Sequence, residues 1–138
     1  MKKWLFLFIA LFIAGTVWAQ NQPKSDEKQA YKGAEIKFEK MVFDFGTLKA
    51  GESKVGTLTF TNVGSKPLIL DDVISSCDCT EVEWPRNPIM PGKSATIVAK
   101  YIAKTTGPIN KWITVLSNAE TDRVILKTKG NVIADSEN

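Results

Sequence analysis

The sequence predicts an all-β, immunoglobulin-like antiparallel β-sandwich of about seven strands. Three observations carry that expectation. Apolar side chains alternate with a period of two. Gly and Pro interrupt the alternation roughly every 8–12 residues, the spacing of a sandwich. No stretch repeats with the 3.6-residue period of a long helix.

Taken in order, the chain opens on an export pattern. Lys2 and Lys3 precede an almost wholly apolar run from Trp4 to Val17, and Val17-Trp18-Ala19 offers a small-residue exit before Gln20. These are the parts of a secretory signal, assigned to residues 1–19. About 14 apolar residues fall short of the roughly 20 that a bilayer span needs, so no membrane span is expected after cleavage. No Cys follows the cut, so a lipid anchor is not expected. Residues 20–33 (QNQPKSDEKQAYKG) are polar and charged and read as a flexible tether. Residues 34–133 form the domain, and 134–138 a polar tail.

Within the domain, Ile36 and Phe38 alternate with Glu35, Lys37 and Glu39. Leu58 and Phe60 alternate with three threonines, and Leu68 and Leu70 flank Ile69. Val82 and Trp84 alternate with glutamates, and Ile97, Ala99 and Tyr101 with Thr96, Val98 and Lys100. Trp112, Thr114 and Leu116 interleave with Ile113 and Val115, and Val124 and Leu126 with Ile125 and Lys127. The expected core is Phe45, Leu58, Phe60, Leu68, Leu70, Trp84, Ile97, Tyr101, Trp112, Leu116 and Leu126. Turns fall at Lys49–Glu52, Asn62–Pro67, Pro85–Pro88 and Met90–Lys93. Thr106-Gly107-Pro108 and Ser117–Glu120 are expected to close two later hairpins. Gly permits positive φ at such sites and Pro fixes φ.

Composition narrows the chemistry. Of 138 residues none is histidine, which excludes Ser-His-Asp and Cys-His mechanisms and most zinc sites. The net charge is +3; removing residues 1–19 takes two lysines and no acid, leaving +1 on 119 residues. Lysines and acids are interspersed without a basic run, so no nucleic-acid partner is expected. No phosphate loop, hydrolase elbow or calcium loop is present. The chain is therefore read as non-enzymatic and free of cofactors.

Several motifs recur in a recognisable order. They are Phe43-Asp44-Phe45-Gly46-Thr47-Leu48, Gly51, Leu58 to Gly64, Pro67-Leu68, Cys77-Asp78-Cys79-Thr80, Ile89-Met90-Pro91-Gly92 and Leu126 to Gly130. Together they resemble the bacterial "domain of unknown function 1573" family of secreted proteins. That family is similar to Ig-like domains of the major-sperm-protein and cilium-associated type. The resemblance covers about residues 38–133; it implies an Ig-like fold and export, and it implies no activity. The family usually has Gly between the two cysteines, where this chain has Asp78. Asp tolerates positive φ better than most residues, whereas a ligand approaching the backbone there would meet its side chain.

Cys77 and Cys79 are the distinctive pair. In an exported protein they form a disulfide candidate. Closing so small a loop contributes only about 1.6 kcal/mol by chain entropy. A reduced pair with a redox or Cu(I) role is a second reading, with Met90 as a conceivable thioether ligand. Free thiols, or pairing with another chain, are a third. The reading taken forward is a local disulfide that shapes a partly exposed loop at one end of the sandwich. Asp71 and Asp72 read as an exposed strand end, Ser75 and Ser76 as turn donors, and Trp84 and Trp112 as core. Two functions compete: a non-catalytic binding or structural module in the periplasm or at the cell surface, whose partner is another envelope or surface protein, and a redox or metal-handling protein built on Cys77 and Cys79. Binding is expected at an open sheet edge, involving residues 36–45 and 122–133, or at the end loops.

Overall fold

The computed structural model describes residues 32–136, so the export signal expected over 1–19, residues 20–31 of the expected tether and the last two residues lie outside it. The alternation resolves into eight strands: β1 (Ile36–Phe38), β2 (Val42–Lys49), β3 (Ser53–Asn62), β4 (Leu70–Ser75), β5 (Thr80–Glu83), β6 (Ser94–Ile102), β7 (Gly107–Ser117) and β8 (Arg123–Ile133). They form two four-stranded sheets, ordered β1-β3-β6-β5 and β2-β8-β7-β4. Side chains on the facing sides meet between them, as the period of two requires.

The eighth strand arises where the chain changes sheets early. β1 pairs antiparallel with β3, and after residues 39–41 β2 joins the other sheet beside β8. The β2–β8 pair is parallel, while the other pairs are antiparallel. The second expected hairpin is real: residues 118–122 join β7 to β8. The Thr106–Pro108 turn is not a hairpin, because β6 and β7 lie in opposite sheets and residues 103–106 carry the chain across.

Phe43, Phe45, Phe60, Leu68, Ile97, Ile113 and Leu126 are fully buried, with Leu58, Leu70 and Tyr101 close behind. Phe45 packs on Tyr101 with ring centroids 5.4 Å apart, and Phe38 on Phe60 at 5.5 Å. Three core expectations need correction. Leu116 and Trp84 are only half-buried, and Trp112 is 53 % exposed. β7 is apolar on both faces, so alternation does not fix its phase; Ile113 and Val115 take the inward positions and Trp112 points out. Trp84 packs against the core from its rim, with the Arg86 guanidinium 3.7 Å from its ring centroid.

A buried amide fastens one end of the sandwich. Asn62, wholly buried at the end of β3, donates through Nδ2 to the carbonyls of Lys66 and Ile89, each at 2.8 Å. Its Oδ1 accepts from the amides of Gly64 (2.9 Å) and Glu35 (3.4 Å). A Cβ on Gly64 would collide with the Gly33 carbonyl and the Glu35 amide, so only glycine fits there. Leu68 and Ile89 exchange both backbone hydrogen bonds at 2.8 Å, which ties the β3–β4 and β5–β6 connections together.

Candidate functional site

The end of β6 opposite Asn62 carries the cysteines. β4 finishes at Ser75, and the chain then leaves its sheet. The Ser76 amide donates to the Trp112 carbonyl (2.9 Å), and the Trp112 amide donates to Ser76 Oγ (3.1 Å). The Cys77 amide donates to Ser75 Oγ at 3.3 Å. Ser75 is therefore a turn residue as expected, though its hydroxyl accepts rather than donates, while Ser76 bonds across to Trp112 on β7 instead of within the turn. Cys77 and Cys79 are joined in a disulfide with Cα atoms 5.2 Å apart. A turn reaches this separation more readily than extended chain. Asp78 projects outward and holds the Lys104 ammonium at 3.1 Å. Among the described residues only glycines have positive φ, so Asp78 stands in the family's glycine position without needing that conformation.

This turn launches β5. The Cys79 carbonyl accepts from the Ile102 amide at 2.8 Å, and from Thr80 onward β5 pairs with β6. Cys79 is buried and Cys77 half-buried, so the disulfide roots the turn in the core while Asp78 faces water. β5 is the last strand of its sheet, so among the described residues its outer side has no strand partner. Glu81 and Glu83 stand on its solvent face, beside a shallow cleft of about 180 Å³ that they line with Val55, Val98 and Lys100. Lys100 approaches Glu81 at 3.6 Å.

The remaining edges are less regular. β1 has three residues. β4 slips in register between Leu70 and Asp72, and β2 between Asp44 and Thr47. Such bulges blunt an edge against further pairing. Asp71 and Asp72 lie exposed at the β4 bulge, where Asp72 Oδ1 accepts from the Val73 amide at 2.9 Å. At the β2 bulge the Gly46 amide donates to Asp44 Oδ1 (3.0 Å) and Lys129 Nζ lies 3.2 Å from Oδ2. The Gly46 amide first, and then Lys129, hold the Asp44 carboxyl below the usual carboxylate range. The expected edge at 122–133 is corrected: β8 lies inside its sheet, between β2 and β7.

Met90 stands apart from the cysteines. It belongs to the loop that meets Asn62, and nine-residue β6 separates that end from Cys79. Among the described residues no three His, Cys, Asp or Glu side chains are grouped to hold a metal ion. No helix among them is long and apolar enough to cross a membrane. A buried carboxylate, like the buried Asn62 amide, escaped sequence reasoning. Glu35 is 4 % exposed, and its Oε2 accepts from the Thr121 amide at 2.9 Å. Ala34, Glu35 and Ile36 are all buried in succession, and that breaks the alternation that would have pointed to it.

Among known proteins, a family model described as "Protein of unknown function (DUF1573)" matches residues 36–132. Of solved structures, the chain is similar to a protein of unknown function from Porphyromonas gingivalis W83. The two share 22 % identity with a TM-score of 0.65, over 74 % of this chain and 48 % of that one. This chain thus spans about half the length of that protein. It is also similar to the ASH/PapD-like domain 7 of human CEP192, at 10 % identity and TM-score 0.63, over 74 % of this chain and 87 % of that one. The YadV chaperone is similar at 17 % identity and TM-score 0.55, over 75 % of this chain and 55 % of that one. At these identities the likeness shows the fold, an Ig-like sandwich of the PapD-like kind. The comparison with curated proteins gave no match.

Proposed function

The chain belongs to the DUF1573 family, and on that premise we propose that it is an exported, non-catalytic binding module of the cell envelope whose partner is another envelope or surface protein. The observation that carries the reading is β5, a regular, outward-open edge strand launched by a covalently fixed turn. An extended segment of a partner adds to such an edge through main-chain hydrogen bonds. Fixing the turn in advance lowers the ordering cost of that association. The distinctive groups of the chain serve structure: the cysteines close a turn, and Asn62 and Glu35 bond backbone amides. Export rests on the basic-apolar-small pattern of residues 1–19. A chaperone stands among the proteins of similar fold, which agrees with protein binding. The reading of a reduced pair, as redox centre or copper ligand, has less support, because joined sulfurs present no thiolate and Met90 lies at the other end of β6.

The test is a photo-crosslinking amino acid placed at Glu81 or Glu83 of the tagged protein in intact cells. A discrete envelope protein should be trapped there and not from Thr57, in the middle of the same sheet face. Equal trapping from both places, or none from β5, overturns the edge reading. Intact mass of the exported protein should begin at Gln20; a mass retaining Met1 to Ala19 overturns cleavage.

A further inference from the structure

A second surface lies on the opposite sheet, away from β5. The register of β2, β8 and β7 sets Val42, Lys127 and Trp112 in one row across its outer face, and Ile125, Thr114 and Ile74 in the next. Trp112 is 53 % exposed, Ile125 52 %, Ile74 48 % and Met41 45 %. Large apolar side chains grouped this way on a solvated sheet mark an interaction surface. Trp112 and Ile125 wall a shallow cleft of about 250 Å³ that Asn110, Lys111 and Lys127 complete. Among the described residues neither Lys111 nor Lys127 has a carboxylate within 4.0 Å. Lys129 and Arg123 stand on the same face in register with Asn110 and Leu116. Among the described residues the acids that register sets on it are Asp44, already paired with Lys129, and Asp72 at the far corner, with exposed Asp71 in the bulge beside it.

We propose that this face docks on an anionic phospholipid surface, with Trp112 and Ile125 seated among the headgroups and the lysine ammoniums on their phosphates. Charge complementarity selects this occupant. Two copies of the face would bring both sets of unpaired cations into one interface. A peptide adding as a strand needs an open edge, whereas the Trp112 and Ile125 backbones pair inside the sheet. The indole ring is suited to the boundary between apolar and wet phases. Lysine stems lie along apolar surface and carry the charge outward to phosphate. Each cation near an anionic leaflet strengthens association roughly fivefold. Docking here leaves β5, in the other sheet, free for its own partner.

Vesicle sedimentation of the purified protein tests the proposal, with vesicles of phosphatidylcholine alone or with one third phosphatidylglycerol. The protein should partition onto the anionic vesicles, not the neutral ones, and leave them as salt rises. Lys127→Glu, which removes one attraction and adds one repulsion, should weaken partitioning by about tenfold or more. Trp112→Ala should weaken it by about tenfold through lost apolar burial, while the thermal melt stays in place. Equal binding to both vesicle types, no binding, or binding that neither substitution weakens overturns the proposal. So does a dimer in solution that Trp112→Ala dissolves, which gives the face to a second copy. Crosslinking from Glu81 in the Trp112→Ala protein separates this result from the edge-strand reading, because it should be unchanged.

Discussion

The chain passes between its two sheets on both sides of β4, and the two passages are held by different means. Between β3 and β4 the fastening is Asn62, wholly buried and bonded through its side chain to four backbone groups. Between β4 and β5 it is the disulfide of Cys77 and Cys79, in a turn whose middle residue faces water. The difference follows from solvent. Where water is excluded, a backbone group left without a partner is costly, so a side chain that satisfies several of them specifies one geometry strongly. Where water competes for every donor and acceptor, hydrogen bonds contribute little net, and a covalent tie holds the turn without depending on them.

That contrast can be broken in order of size. Asn62→Ala leaves the Lys66 carbonyl and the Gly64 amide without their partner and takes one of two donors from the Ile89 carbonyl, which keeps the Leu68 amide. At about 1–3 kcal/mol for each unsatisfied group, partly relieved by relaxation, it should cost about 3 kcal/mol or more in urea unfolding. A loss under about 0.5 kcal/mol would show that the joint does not hold that end. Replacing both cysteines by serine should cost less, about 1.6 kcal/mol from loop closure with a smaller addition for the hydroxyl buried at Cys79, and should speed amide exchange in β5. A cost above that of Asn62→Ala would invert the ranking. Thiol titration of denatured, unreduced protein should find no free thiol and no dimer.

Asp44 supplies a smaller, pH-dependent contribution. Its carboxyl ionises more readily folded than unfolded, held there by the Gly46 amide and Lys129. The stabilisation is therefore present above the unfolded carboxylate range and is lost as pH falls through the lower, folded value. Asp44→Asn should flatten the acid limb of stability against pH and leave its alkaline limb alone. An unchanged acid limb would mean that these contacts are not maintained in solution. Smallest of all is Trp112→Ala, within about 0.5 kcal/mol, since an exposed side chain leaves no cavity behind. A larger cost would place Trp112 in the core.

Strands with one wet face were legible. β3 and β6 alternate cleanly, and their inward residues Leu58, Phe60, Ile97 and Tyr101 are buried. β7 misled because Trp112 and Leu116 compete with Ile113 and Val115 for the same inward role. The sheet change at residues 39–41 left no turn signature, as Glu39-Lys40-Met41 contains neither Gly nor Pro. The position of β8 inside its sheet depends on β2 arriving from some eighty residues away, and such pairing has no local signature. The cysteine pair was legible from its spacing and context. Asn62 was not, since a turn asparagine and a buried one read alike.

The parallel run of β2 beside β8 has a mechanical consequence. The chain enters the domain near Ala34, beside Ala119, and leaves β8 at Ile133, paired with Lys49. Entry and exit thus lie at opposite ends of the long axis. Tension applied through the two ends pulls along the strands; it meets β1, paired with β3, first, and beyond β1 it loads the rungs from Val42–Lys127 to Lys49–Ile133 in shear, so that they must yield together. Had β2 and β8 been antiparallel neighbours, the same pull would peel them apart one rung at a time. Rupture under load is a rate process set by the unfolding barrier, and rungs that must break together resist a pull along the strands more than rungs that break in turn.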